Sequence, residues 1–487
     1  MFYLHLVCQG TKHTLRKARS AMQRVHCVPS GIVFLAVCAS AWSDEATRLL
    51  EYAPAPVDNP LKGLVPYQGD VRDKFPHSLE FNYLPYSALV KGYDQFDWQP
   101  LERMLDDIAS RGHQAVFRIY LEYPNRSGAI PLFLIQDGLQ VTRWDFKETA
   151  QASSAKMETP NYEDSRLRRS LKNFIAALGR KYDGDPRIGF ITAGLLGTWG
   201  EWHSWPREEL FASKNVQTEV MDAYEAAFQI TPVLLRYPAG DADDDKASNA
   251  DRKFGYHDDS FAWATLHTGK KGDAWFYMTA LKTAGPAAEA KWKTHPIGGE
   301  IRPEAWGQVF DEAPKNKRIQ NFRQCVEATH VTWLMDSGMF QRKQPAVRIR
   351  RAEDEVRRMG YEFHCPRVTV HRDQNAQLLV KLEVENRGVA PFYYDWGAEW
   401  GLLAEGQAVK VWPATGKLTG LLPGDPPRVW TDTLNVAGVK SGRYILAVRV
   451  PNPLKNGHPL RFANSTQDAD AASWLSLDKI VIMNAAQ

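Results

Sequence analysis

Cysteine is scarce: five residues in 487, at positions 8, 27, 38, 325 and 365. There is no C-x-x-C pair and no Cys/His cluster, so the ligand spacing of a structural zinc site is missing. Cys325 and Cys365, the two that lie outside the N-terminal segment, either pair in an oxidising compartment or stay as two free buried thiols. No long apolar run occurs either; residues 31–41 form a short one, too short for a stable membrane span. Neither charge dominates, with 60 Lys and Arg against 57 Asp and Glu, so nothing suggests nucleic-acid binding. No G-x-G-x-x-G turn follows the first strand-like segment, and no Lys-Ser or Lys-Thr follows the glycines at 194–200, which argues against dinucleotide and phosphate loops.

What is present starts with a targeting pattern. Arg24 and His26 precede the apolar run, Ala39-Ser40-Ala41 is a small-residue cleavage pattern, and Ser43, Asp44 and Glu45 follow. This predicts a signal peptide within residues 1–43 and a secreted or periplasmic protein; a buried helix is the competing reading. Met22 offers a second start, which would make residues 1–21 an annotation artefact. Aromatics are plentiful, with 16 Trp and 18 Tyr. Some must fill cores, and others are available to line a groove, where flat rings stack on sugar faces.

From 57 to 345 strand-like and helix-like segments alternate. Strands are expected at 63–67, 80–89, 114–123, 188–196, 233–237, 254–256, 296–300 and 331–335. Helices are expected at 99–111, 163–182 and 217–228, the first from Leu101, Met104, Leu105 and Ile108 at helical spacing, with Pro100 in its first turn and Gly112 beyond its end. Eight such units predict a (β/α)8 TIM-type barrel, an α/β fold; a doubly wound open sheet is its rival. A charged helix at 348–359 closes this region. Over 361–487 alternation takes over: Val380, Leu382 and Val384 interleave with Lys381, Glu383 and Glu385, as do Tyr444, Leu446 and Val448 with their neighbours. Short strands with regular turn signals predict an all-β, immunoglobulin-like sandwich.

The stretch from Ile188 to Trp205 runs an apolar strand into Gly194, Gly197 and Gly200 and then Glu201, flanked by Trp199, Trp202, His203 and Trp205. Barrel sites lie at the C-terminal strand ends, so Glu201 should face the pocket mouth between apolar walls. Desolvation there would raise its pKa toward that of a general acid. His295 to Ile301 is a second short strand, ending in Gly-Gly-Glu300. Carboxylates after the fourth and seventh strands would face each other across the mouth, the pair that glycosidic cleavage requires. The other strand ends add pocket candidates: Arg118, Tyr120 and Glu122, sharing one face of the third strand; Arg236 and Tyr237; Tyr256, His257, Asp258 and Asp259, with His257 preferred; Trp333 as a stacking platform, and Asp336. Structural readings compete throughout, with Glu201 bonded to a neighbouring strand, Glu300 paired with Arg302, and the tryptophans packed as core.

Glutamates after strands four and seven resemble the retaining glycosidase superfamily known as clan A. The motif GTWGEWH at 197–203, with NPLKGLVPY at 59–67 and a following sandwich, also resembles a family of secreted bacterial proteins of unassigned function with glycosidase-like barrels. The resemblance spans 57 to about 480. It implies Glu201 as acid/base, Glu300 as nucleophile, an oligo- or polysaccharide partner, and no metal or organic cofactor. It departs from clan A at Gly200, where that superfamily carries an asparagine that bonds the sugar 2-hydroxyl. A non-catalytic glycan-binding barrel and a secreted adhesion module are the alternatives.

Overall fold

The computed structural model describes residues 44–70, 75–147, 153–373 and 376–483. The expected signal segment, 1–43, lies outside the described residues.

The eight expected strands all form, as Gly63–Val65, Leu79–Pro85, Gln114–Tyr120, Ile188–Thr192, Val233–Leu235, Gly255–Phe261, Ile297–Ile301 and Trp333–Met335. Each pairs in parallel with its neighbour in order. The first and second meet at a bridge between Tyr67 and Phe81, which closes the barrel and rules out an open doubly wound sheet.

Helices cover the outer face. Gln99–Ser110 buries Leu101, Met104, Leu105 and Ile108, the expected stripe. Ser165–Tyr182 starts where the Asp164 carboxylate accepts the Arg166 amide at 2.9 Å, and it buries Leu167, Leu171, Phe174, Ile175 and Leu178. Lys214–Ala227 begins earlier than the apolar pattern suggested, because Ser213 caps it. The charged helix is Ala346–Arg358.

The C-terminal region is two antiparallel four-stranded sheets. One has the order Asp44–Leu49, Phe363–Arg372, Gln377–Asn386, Arg428–Asn435; the other Gln407–Pro413, Glu399–Ala404, Gly442–Arg449, Leu475–Ile482. Val380, Leu382 and Val384 point inward as the alternation predicted. The edge strand Asp44–Leu49 precedes the barrel in the chain, so the sandwich takes strands from both sides of it.

Two cores result. Outward-facing strand residues pack against the helices. Inward-facing Val65, Phe81, Val116, Phe190, Leu234, Trp333 and Met335 form one cluster with the sandwich interior. Trp333 stacks on Phe190 with ring centres 5.8 Å apart, and the Tyr394 hydroxyl donates to the Gly189 carbonyl at 2.6 Å. The sandwich thus plugs the N-terminal end of the barrel and leaves the C-terminal end open. Cys325 and Cys365 are both free and buried, which decides against the disulfide.

Candidate active site

After the fourth strand the backbone folds back on itself. Leu195, Gly197, Trp199, Gly200 and Trp202 all adopt positive φ, between 56° and 76°. Three of these are not glycine, so the turn is strained, and the surroundings hold it. The Leu195 amide donates to Ile119 O at 2.7 Å, the Trp199 amide to Glu122 O at 3.0 Å, and the Thr198 amide to His203 O at 2.8 Å. The Trp202 indole N–H donates to the Ala193 carbonyl. Gly197 is needed sterically as well, since a Cβ there would sit 2.3 Å from His203 O. This fold delivers Glu201 to the barrel mouth.

Glu201 sits between two arginines and a histidine. Arg118 Nη1 is 3.1 Å from its Oε1, and Arg236 Nη1 and His203 Nε2 are 3.7 and 3.5 Å from its Oε2. Asp259, from the sixth strand, shares both arginines, with Arg118 Nη2 at 3.0 Å and Arg236 Nη1 at 2.8 Å, and takes the Nδ1–H of His257 at 3.1 Å. Burial alone would raise the Asp259 carboxyl, but Arg118, His257 and Arg236 outweigh it and hold that group well below the usual range. Glu300 completes the group: carboxylate oxygens of Glu201, Asp259 and Glu300 lie within 4.8 Å of one another. Burial, with the charges of Asp259 and Glu201 added, pushes the Glu300 carboxyl well above the usual range.

The three acids open on a cavity of about 630 Å³. Of the expected residues, Trp199, Glu201, His203, Trp205, Arg236, Tyr237 and Glu300 line it, and Arg118 lies beneath it. Trp205 and Trp275 stand at the rim, each 47% exposed. Trp199 is braced edge-on by Phe146, 5.3 Å away.

Several expected positions do not reach the cavity. Trp202 is core, turned inward to hold Ala193. Trp333 fills the barrel interior near its closed end and is no stacking platform, because it begins the eighth strand instead of ending it. Tyr256 faces outward, its hydroxyl donating to Asn249 at 2.7 Å. Asp336 is buried and accepts the amides of Gly307 and Met339, both at 3.2 Å. Tyr120 packs its ring on Tyr83 and Tyr123. Glu122 parts from Arg118: the strand ends at Tyr120, and beyond it the carboxylate turns to accept the Tyr162 and Thr159 hydroxyls, both at 2.5 Å. The Tyr162 oxygen in turn accepts the Gly197 amide at 2.8 Å. His257 lies below the acids and orients Asp259.

Sequence reasoning missed Tyr67, Tyr83, Tyr123, Phe146 and Trp275 as site members, and at the end of the sixth strand it preferred His257 over Asp259. Asp259 lies two residues after His257, on the same inward face.

Fold and site together define a (β/α)8 barrel with three carboxylates and two arginines at the C-terminal mouth. No protein-family model and no curated protein matches the chain. Among solved structures the chain is similar to endo-glycoceramidase II from Rhodococcus sp., at 11% identity over 80% of this chain and 100% of that one, with a TM-score of 0.40. It is also similar to Pseudomonas stutzeri endoglucanase Cel5A in complex with cellobiose, at 10% identity over 62% of this chain and 94% of that one, with a TM-score of 0.34. At such scores the likeness carries no argument about chemistry, which rests on the side chains.

Proposed function

We propose that this protein is a secreted glycoside hydrolase acting on an oligo- or polysaccharide with Glu201 and Glu300. The observation that carries the reading is the closeness of the two carboxylates, with oxygens within 4.8 Å across an aromatic-walled cavity. Retaining enzymes hold their pair about 5–5.5 Å apart, whereas inverting enzymes need about 6.5–9.5 Å to admit a water. The spacing favours retention.

Charge balance supports one division of roles. Arg118 and Arg236 are matched by Glu201 and Asp259, which leaves Glu300 as the group that keeps its proton. In this reading Glu300 protonates the departing glycosidic oxygen while the Glu201 carboxylate, held by Arg118 and Arg236, attacks the anomeric carbon, the reverse of what the clan A resemblance implies. In the second step Glu300, now a carboxylate, takes a proton from the water that releases the sugar. Trp199, Trp205 and Tyr237 supply ring faces and His203 a polar edge for the sugar.

The test is turnover of an aryl-glycoside and polysaccharide panel by wild type, Glu201→Gln and Glu300→Gln. Each substitution should lower kcat about 10²–10⁴-fold or more while sparing sugar affinity. Unchanged turnover in both variants would remove the proposal. Glu201 is tied to cations through both oxygens, and Gly200 precedes it; these features favour the second reading, a glycan-binding barrel without turnover. Glycan binding by a wild type that cleaves no substrate in the panel would establish it. Export is tested by N-terminal sequencing of the mature protein, expected to begin just after Ala41.

A further inference from the structure

A second cluster lies at the other end of the barrel strands. His77 precedes the second strand, Glu80 is its second residue, and His113 immediately precedes the third. The two strands are hydrogen-bonded in register, Glu80 beside Ala115, and the Gln114 amide donates to Ser78 O at 3.0 Å, so the backbone fixes the spacing of all three side chains. The His77 and His113 ring centres are 4.3 Å apart, and one ring nitrogen of each histidine lies with a Glu80 carboxylate oxygen inside a 4.8 Å cluster.

Hydrogen bonds set both histidine tautomers. His77 Nδ1 is 2.8 Å from the Phe75 carbonyl, and His113 Nδ1 is 2.7 Å from Glu80 Oε1. Both partners only accept, so each Nδ1 carries a proton and each Nε2 is the ring nitrogen left for a ligand contact. His77 Nε2 is buried, on a residue only 8% exposed, with no hydrogen-bond partner among the described residues. A carboxylate or carbonyl behind Nδ1, with Nε2 free in front, is the arrangement that orients histidine toward a metal.

Arg111 is the contrary charge. Its Nε and Nη2 each meet Glu80 at 2.7 Å, and it also pairs with Asp107 at 2.8 Å. Glu80 and Asp107 together offset it, and Glu80 serves His113 from behind. His113 keeps 12% of its side chain exposed, which gives an ion an entry path.

We propose that His77 and His113, oriented by Phe75 O and Glu80, bind one borderline-soft divalent cation, of which zinc is the representative, through their Nε2 atoms. Solvent completes the coordination, since imidazole suits zinc, copper and nickel better than calcium or magnesium. The site is remote from Glu201 and Glu300, so its role is to clamp two adjacent strand starts. The expectation of no metal came from cysteine and from local spacing; ligands at 77, 80 and 113 are too scattered to form a motif.

The experiment is calorimetric titration of chelator-treated full-length protein with Zn²⁺, with thermal melts in parallel. Wild type should bind with a component that raises Tm. His77→Ala and His113→Asn should each weaken that component at least tenfold and abolish the Tm rise. His113→Asn keeps an amide N–H for Glu80 and removes Nε2, so it separates loss of the ligand from loss of folding. Glu80→Gln should weaken binding about 10–100-fold, as for a partner behind the ligand. Absence of Zn²⁺ binding by wild type, or equal binding and Tm rise in His113→Asn, overturns the proposal. None of these readouts uses turnover, so the result stands apart from the glycosidase reading.

Discussion

Asp259 and Glu122 carry the residue-scale argument, because each is a buried carboxylate with opposite surroundings. Asp259 neutralises two buried guanidiniums. Asp259→Asn leaves those charges to Glu201 alone and should cost about 3–5 kcal/mol in urea unfolding. The pKa of Asp259 is held down in the fold, so its contribution is complete above the unfolded value near 4 and is lost as pH falls through the folded value. The acid-side loss of wild-type stability should therefore shrink in the Asn variant. Glu122 behaves in the other sense. Burial raises its pKa to about 7 against the hydrogen bonds from Thr159 and Tyr162. Its stabilising contribution is complete below the unfolded pKa, about 4.3, and is lost as pH rises to about 7. Glu122→Gln, which cannot ionise, should match wild type near pH 4 and exceed it by about 1–3 kcal/mol at pH 8, read from melts across that range. No gain at pH 8 would mean that Glu122 is ionised at no cost.

At the scale of elements, the turn after the fourth strand is the vulnerable part. Gly197→Ala places a methyl against His203 O at a φ of +76°, and should lower stability by about 1–3 kcal/mol or more while displacing Glu201. Gly397→Ala, where a Cβ meets nothing within 4 Å, should change stability by less than about 0.5 kcal/mol. Equal Tm values for the two variants would show that the turn is not steric in origin. The regular elements were legible because their signals are local: helical spacing at Leu101 to Ile108, alternation at Val380 to Val384, glycines before Glu201. The hairpin of Val141–Phe146 and Ala155–Pro160 was not foreseen. Its first strand has only one buried residue and no regular apolar alternation, yet that residue, Phe146, braces Trp199. Trp333 was misplaced for a related reason. The sequence marks a strand there, but a three-residue strand does not reveal which end of the barrel it fills.

For the whole molecule, the shared core is decisive. Phe190 and Trp333 from the barrel belong to one cluster with Tyr361, Phe392 and Trp400 from the sandwich. Tyr393 and Tyr394 each donate a hydroxyl hydrogen bond at 2.6 Å to barrel carbonyls, at Trp292 and Gly189. Barrel and sandwich should therefore melt as one cooperative calorimetric transition. Deletion of 361–487 should leave a barrel that fails to fold, because its N-terminal end would be opened to water. Two separated transitions, or a soluble folded barrel, would refute this.

The amino-acid order by itself determined the eight strands, the longer amphipathic helices, the sandwich alternation, and the presence of Glu201 and Glu300 at strand ends. Those features depend on periodicity and on residues a few positions apart. Only the tertiary structure decided that Asp259 shares the arginines with Glu201, that Glu300 is buried beside both of those carboxylates, and that the His77 and His113 rings lie side by side. Burial and Coulomb interaction act between groups far apart in the chain, and their strength depends on the distances that folding sets.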